Sequence, residues 1–104
     1  MHFSEKYLTV EVKEKYRDLV PIFLSARLSD VEKLEAAVET SDFETIGLIG
    51  HSIYGASGSY GFHFASKLGE ELEAAAVRQN NSEIVDVINS LKEYLASVKV
   101  TYID

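Results

Sequence analysis

A chain of 104 residues has room for one hydrophobic core and no second one, and 46% apolar with 26% charged residues is the composition of a soluble globular protein, with no run near the roughly 18 apolar residues of a membrane span. The 17 acidic against 10 basic residues leave a formal charge of -7, which argues against a general phosphate-backbone binder, so nucleic acid is not an expected partner, and without an apolar span neither is a membrane. Absence of cysteine excludes disulfides and thiolate metal sites, and Met1-His2-Phe3-Ser4-Glu5-Lys6 lacks the basic and apolar regions of a secretory signal, so the expected location is cytoplasmic.

In chain order, Tyr7-Leu8-Thr9-Val10-Glu11-Val12 alternates apolar and polar residues too briefly to establish a strand and reads as part of an extended arm over residues 1–11. Val12 to Val20 carries Tyr16, Leu19 and Val20 at helical spacing. Pro21 removes an amide and disfavours helical geometry at Val20, so a short helix is expected to end or kink there. From Pro21, a good first helical residue, Phe23, Ala26, Val31, Leu34, Ala37 and Val38 recur at helical spacing to Thr40. Arg27, Asp30, Glu32, Lys33, Glu35 and Glu39 supply the polar side. Thr40-Ser41-Asp42 offers capping oxygens, and Glu44 suits the positive end of the next helix. That helix is expected to run from near Asp42 to Gly61, a glycine placed to close it in the left-handed conformation.

Phe62 to Arg78 predicts the next helix, with Phe64 or Ala65, Leu68, Leu72, Ala75 and Ala76 inward and Lys67, Glu70, Glu71 and Glu73 outward. Gln79-Asn80-Asn81-Ser82 reads as a turn in which Asn81 or Ser82 caps a last helix over about Glu83 to Val98. Ile84, Val87 or Ile88, Leu91 and Leu95 face its core side. Val100-Thr101-Tyr102-Ile103 is β-prone but is expected to form a tail, residues 99–104, against the helices. The expected fold is all-α: an antiparallel up-down four-helix bundle with a short extra N-terminal helix, in a single domain spanning 1–104.

Between Ile46 and Phe62 stand five of the chain's six glycines and one histidine, His51. A glycine inside a helix costs roughly 0.5–1 kcal/mol relative to alanine, so this concentration implies a use for missing side chains. At about 100° per residue, Ile46, Ile49, Ile53, Ser57 and Tyr60 lie about 160° to 240° from His51 and form the core side. Gly47 and Gly58 lie about 40° and 20° to one side of His51, Gly55 about 40° to the other, and Tyr54 about 60° away. The imidazole therefore projects through a surface cleared for a partner's backbone. Imidazoles titrate near neutral pH, so a nucleophilic neutral fraction suited to accepting a phosphoryl group is available. No carboxylate or second histidine stands three or four residues from His51, so no helical metal site or general-base dyad is apparent locally. His2 and His63 read as surface or boundary histidines, and Tyr7, Tyr16, Tyr94 and Tyr102 as core-edge aromatics.

The run His51-Ser52-Ile53-Tyr54-Gly55-Ala56-Ser57-Gly58-Ser59-Tyr60-Gly61 closely resembles the signature of histidine-containing phosphotransfer (HPt) domains, with His51, Gly55 and Gly61 in matching places. Leu68-Gly69-Glu70-Glu71-Leu72-Glu73-Ala74-Ala75 is similar to the family's following helix, and Ser41-Asp42-Phe43 to the entry of its histidine helix. The resemblance implies a phosphorelay intermediate. His51, reacting through Nε2, would accept a phosphoryl group from an aspartyl phosphate on one receiver domain and deliver it to an aspartate on another. It implies response-regulator receiver domains and a hybrid or other sensor histidine kinase as partners; the cleared surface around Gly47, Tyr54, Gly55 and Gly58 is the expected docking surface, and a free-standing bundle of this size is expected to be a monomer. No cofactor is expected on this chain, with Mg²⁺ on the partner receiver, and no kinase or ATP-binding motif is present, so the chain is a phosphocarrier rather than a self-sufficient kinase. Tyr54 departs from the pattern, because the family usually carries lysine there and a tyrosine brings no positive charge. Lys67 is a candidate supporting cation, as is His63, and Glu73 is weakly implied to order the bundle beside the site. Two alternatives stay open: a non-catalytic receiver-binding module with Tyr54 as its mark, and a helical adaptor whose glycine patch receives a partner helix.

Overall fold

The computed structural model describes residues 8–104, so His2, Tyr7 and residues 1–7 of the expected arm lie outside the described residues. Strand β1 (Thr9–Lys13) leads through a 3-10 helix (Glu14–Leu19) into four helices, α1 (Val20–Glu39), α2 (Phe43–Ser59), α3 (His63–Val77) and α4 (Asn81–Ser97), and strand β2 (Lys99–Ile103) follows. Helix α1 packs on α2 and α4, and α3 packs on the same two, which closes a four-helix bundle whose most extensive seam is α2 against α3. Among the described residues no helix is long and apolar enough to cross a membrane.

All three helix connections are built alike, each from three residues. At the first, the Ser41 amide donates to Val38 O and the Asp42 amide to Ala37 O. At the second, Gly61 donates to Gly58 O and Phe62 to Ser57 O, and at the third Gln79 donates to Ala76 O and Asn80 to Ala75 O. This paired closure requires a left-handed residue, and Ser41 (φ 52°), Gly61 (φ 87°) and Gln79 (φ 54°) fill that place. The residue that completes each stop also begins the next helix. Asp42 accepts from the Thr45 amide and Asn80 from the Glu83 amide, both at 3.1 Å. The cap of α4 is therefore Asn80, one residue before the predicted Asn81 and two before Ser82.

One core cluster runs through Val31, Leu34, Ile46, Ile53, Leu72, Ile84 and Leu91, and a second joins Val10, Val12, Val20, Phe23, Phe62, Ala65 and Tyr94. Phe23 stacks on Phe62 with ring centroids 4.7 Å apart. Burial pushes the Tyr94 phenol up to about 12. The second cluster exists because the predicted arm and tail are strands: β1 and β2 pair in parallel, Thr9 with Lys99 through Lys13 with Ile103. Alternation places Val10 and Val12 inward and leaves Val100 and Tyr102 half-buried. Four-residue patterning is too short to reveal pairing with a segment at the other end of the chain, which is why each reads alone as an arm or a tail.

Where the spacing predicts a short helix over Val12–Val20, β1 occupies Val12 and Lys13, the 3-10 helix occupies Glu14–Leu19, and Val20 already begins α1. Pro21 lies in the first turn of α1, where its missing amide has no intrahelical partner to lose. Arg27, expected on the polar side of α1, is buried. Its Nε donates to Asp30 Oδ2 at 2.8 Å and its guanidinium lies 5.0 Å from the Phe23 ring centroid. A nearby carboxylate and aromatic ring make that burial tolerable.

Candidate functional site

The site grows from the N-terminal half of α2. Asp42 caps the helix, and the side-chain and backbone hydrogen bonds from Thr45 hold its carboxyl below the usual aspartate range. Two turns further on, His51 projects into solvent with 69% of its side chain exposed. Ile46, Ile53 and Ser57 are buried behind it, Ile49 and Tyr60 are partly buried, and Gly47, Gly55 and Gly58 flank it on the open side.

The α2–α3 seam supplies what spacing within α2 lacks. Glu73 on α3 reaches across so that both carboxylate oxygens lie 3.2 Å from His51 Nδ1. Two glycines on the buried side allow this. A Cβ on Gly50 would stand 2.8 Å from Gly69 O and 2.9 Å from the Glu73 amide nitrogen, and one on Gly69 would stand 2.6 Å from the Tyr54 amide nitrogen. The backbones meet where side chains are missing, which brings the start of the Glu73 side chain against the histidine turn. Ser66 Oγ, donating to Tyr54 O at 2.8 Å, ties the same seam.

The remaining glycines behave differently. A Cβ at Gly55 would meet nothing within 4 Å, at Gly47 only Ala76 Cβ at 3.6 Å, and at Gly58 only Ser66 Oγ at 3.4 Å. The fold itself has room for side chains there. Tyr54 is exposed, with its ring centroid 6.4 Å from that of His51. Phe43, Glu44, Gly47, Leu48, His51, Glu73, Ala76, Val77 and Gln79 line a shallow recess of about 520 Å³. Leu48 and Val77, 66% and 81% exposed, give it an apolar rim. Lys67 and His63 line a different recess, with Thr9, Glu11 and Gly61, against β1.

Spacing along α2 cannot find Glu73, since the contact crosses between helices; glycines facing inward on two consecutive helices, Gly50 and Gly69, are the sequence signal of the close seam that permits it. Glu44, Leu48 and Val77 are further residues beside His51 that the angular reading leaves unnamed. No group of three His, Cys, Asp or Glu side chains able to hold a metal ion occurs among the described residues.

These features define a helical bundle that presents one well-exposed imidazole, His51, steadied by a carboxylate from a neighbouring helix and flanked by Gly47, Gly55 and Gly58. The family model for the Hpt domain matches residues 18–100, and the chain belongs to that family. Hpt domains work in phosphotransfer within phosphorelay signalling and generally interact with receiver domains and histidine kinases. Searches of curated proteins and of solved structures return no match.

Proposed function

We propose that this chain is a phosphorelay intermediate in which His51 takes a phosphoryl group from an aspartyl phosphate on one receiver domain and passes it to an aspartate on another. The observation that carries this reading is the division of one imidazole: Nδ1 lies 3.2 Å from Glu73 while the ring is 69% exposed, which leaves Nε2 to a partner. With Nδ1–H donating to the Glu73 carboxylate, Nε2 keeps its lone pair. As the Nε2–P bond forms, the O–P bond of the acyl phosphate breaks and its electron pair returns to the donor carboxylate. The ring becomes a phosphoimidazolium, whose positive charge Glu73 opposes. Onward transfer reverses these changes and leaves neutral imidazole with its proton still on Nδ1, so neither half-reaction needs an external proton.

Gly47, Gly55 and Gly58 serve the docking of the receiver, with Tyr54 at its edge. Mg²⁺ belongs to the receiver, where it would neutralise charge on the phosphoryl oxygens. Short connections support an up-down antiparallel order of the helices, acting as a monomer in the cytoplasm downstream of a sensor kinase. The test is incubation with receiver domains phosphorylated by acetyl phosphate. An acid-labile, base-stable adduct on the wild-type chain, absent from His51→Gln, is expected. No adduct from any active receiver, or one that survives His51→Gln, overturns the reading.

A further inference from the structure

The contact of Glu73 with His51 needs α2 and α3 held in one alignment, and most of what joins the two helices does not impose it. Gly47 faces Ala76, Gly50 faces Leu72, and Gly69 faces Ile53. Contacts of this kind are non-directional, so they set how closely the helices approach rather than where one lies along the other. A hydrogen bond is directional and weakens steeply away from its preferred distance and angle. The His51–Glu73 pair is ill suited to fix the alignment itself, because 3.2 Å is the long end of the range and its side chains are 69% and 41% exposed, where such pairs contribute little. Ser66 is well suited. It is buried, and its Oγ donates to Tyr54 O at 2.8 Å, in surroundings of low dielectric that strengthen the bond.

Both ends of that bond lead to the site. Ser66 stands two turns before Glu73 on the same face of α3, and Tyr54 stands about one turn beyond His51 on α2. Gly58 leaves the hydroxyl its space, since a Cβ there would lie 3.4 Å from Ser66 Oγ. Resting on the phosphotransfer reading above, we infer that Ser66 is a positioning residue: its bond to Tyr54 O aligns α3 on α2 so that Glu73 meets His51 Nδ1 and Nε2 is the nitrogen left open. Being buried, Ser66 touches neither the phosphoryl group nor a partner. It acts through Glu73.

A double-mutant cycle separates this role from a merely structural one. Wild type, Ser66→Ala, Glu73→Ala and the double variant are compared by the His51 tautomer in ¹⁵N spectra near pH 8, where the imidazole is about fully neutral, and by the rate of transfer from a phosphorylated receiver. Alanine suits a helix and occupies the serine's place less one oxygen, so Ser66→Ala should fold. Its Nδ1–H population should fall towards that of Glu73→Ala, and its transfer rate should drop about three- to fivefold. In the Glu73→Ala background the same substitution should still lower the melting temperature but leave tautomer and transfer rate as they were. An unchanged tautomer in Ser66→Ala, or rate losses that multiply in the double variant, overturns the inference while leaving transfer to His51 intact. Absence of any His51 adduct on the wild-type chain instead removes the phosphotransfer reading, and the tautomer comparison then decides by itself whether Ser66 positions Glu73.

Discussion

Gly50 and Gly69 stand so close across the α2–α3 seam that a Cβ on Gly69 would lie 2.7 Å from Gly50 O, and one on Gly50 would lie 2.8 Å from Gly69 O. Backbone atoms cannot swing aside as a flexible side chain does. Gly50→Ala and Gly69→Ala should therefore each destabilise the bundle by about 1–3 kcal/mol, although alanine favours helix by up to ~1 kcal/mol. Urea unfolding measures this, and either variant unfolding later than wild type would contradict the close seam. Separation of α2 from α3 should also weaken the contact of Glu73 with His51, visible as an altered imidazole tautomer in ¹⁵N spectra.

Gly55 offers the opposite case on the same helix, because a side chain there meets open space. Gly55→Ala should raise stability by about 0.5–1 kcal/mol. Receiver-dependent labelling of His51 should nevertheless slow, since the added methyl stands on the proposed docking face. A variant that is both more stable and as fast as wild type would show that this glycine does not serve docking.

Glu73 separates hydrogen bonding from charge. Glu73→Gln keeps an acceptor oxygen for Nδ1–H, whereas Glu73→Ala keeps none. The alanine variant should lose about tenfold in the rate of transfer from a receiver, and glutamine should restore most of it. Both proteins should fold normally, because the pair lies at the surface. Equal rates in the two variants, both below wild type, would mean that the carboxylate's charge, not its hydrogen bond, is what matters.

Asp42 makes stability depend on acid. Its carboxyl is held below the usual aspartate range by the side-chain and then the backbone hydrogen bond from Thr45. A depressed carboxylate stabilises the fold above its unfolded pKa, and this contribution disappears as pH falls through the lower folded value. Asp42→Asn still caps α2 but does not titrate, so its melting temperature should fall less than that of wild type below about pH 4. Parallel acid limbs for the two proteins would be the contrary result.

Ser41 and Gln79 carry left-handed backbone at φ 52° and 54° without being glycine. Ser41→Gly and Gln79→Gly should each stabilise the protein by about 1 kcal/mol by relieving that strain. The gains should add, because the two positions lie in different connections. Thermal or urea unfolding of the single and double variants checks both statements.

The same positions show where reading residues in order succeeds and where it stops. Gly61 announces a helix end because its identity permits the conformation, while Ser41 and Gln79 adopt it without any such mark. The face of α2 follows from rotation per residue, so His51 opposite Ile46 and Ile53 is legible; Glu73 belongs to another helix, and its reach depends on how closely two backbones approach. Arg27 is a charged residue whose burial depends on Asp30 and Phe23 together. Pairing of Thr9 with Lys99 is set by the closed bundle, not by either pentapeptide.

That parallel strand pair lets the order of folding be stated. Almost the whole polypeptide lies between its two halves, so forming it early would require closing a very long loop with little contact to offset the lost entropy. Helices joined by three-residue connections face no such barrier and assemble from neighbours in sequence. The clasp is therefore a late event that becomes favourable only once the bundle has brought residues 9–13 and 99–103 together. Slow amide exchange in the clasp would report a completed fold, while the turn that carries His51 belongs to the earlier, local part of the pathway.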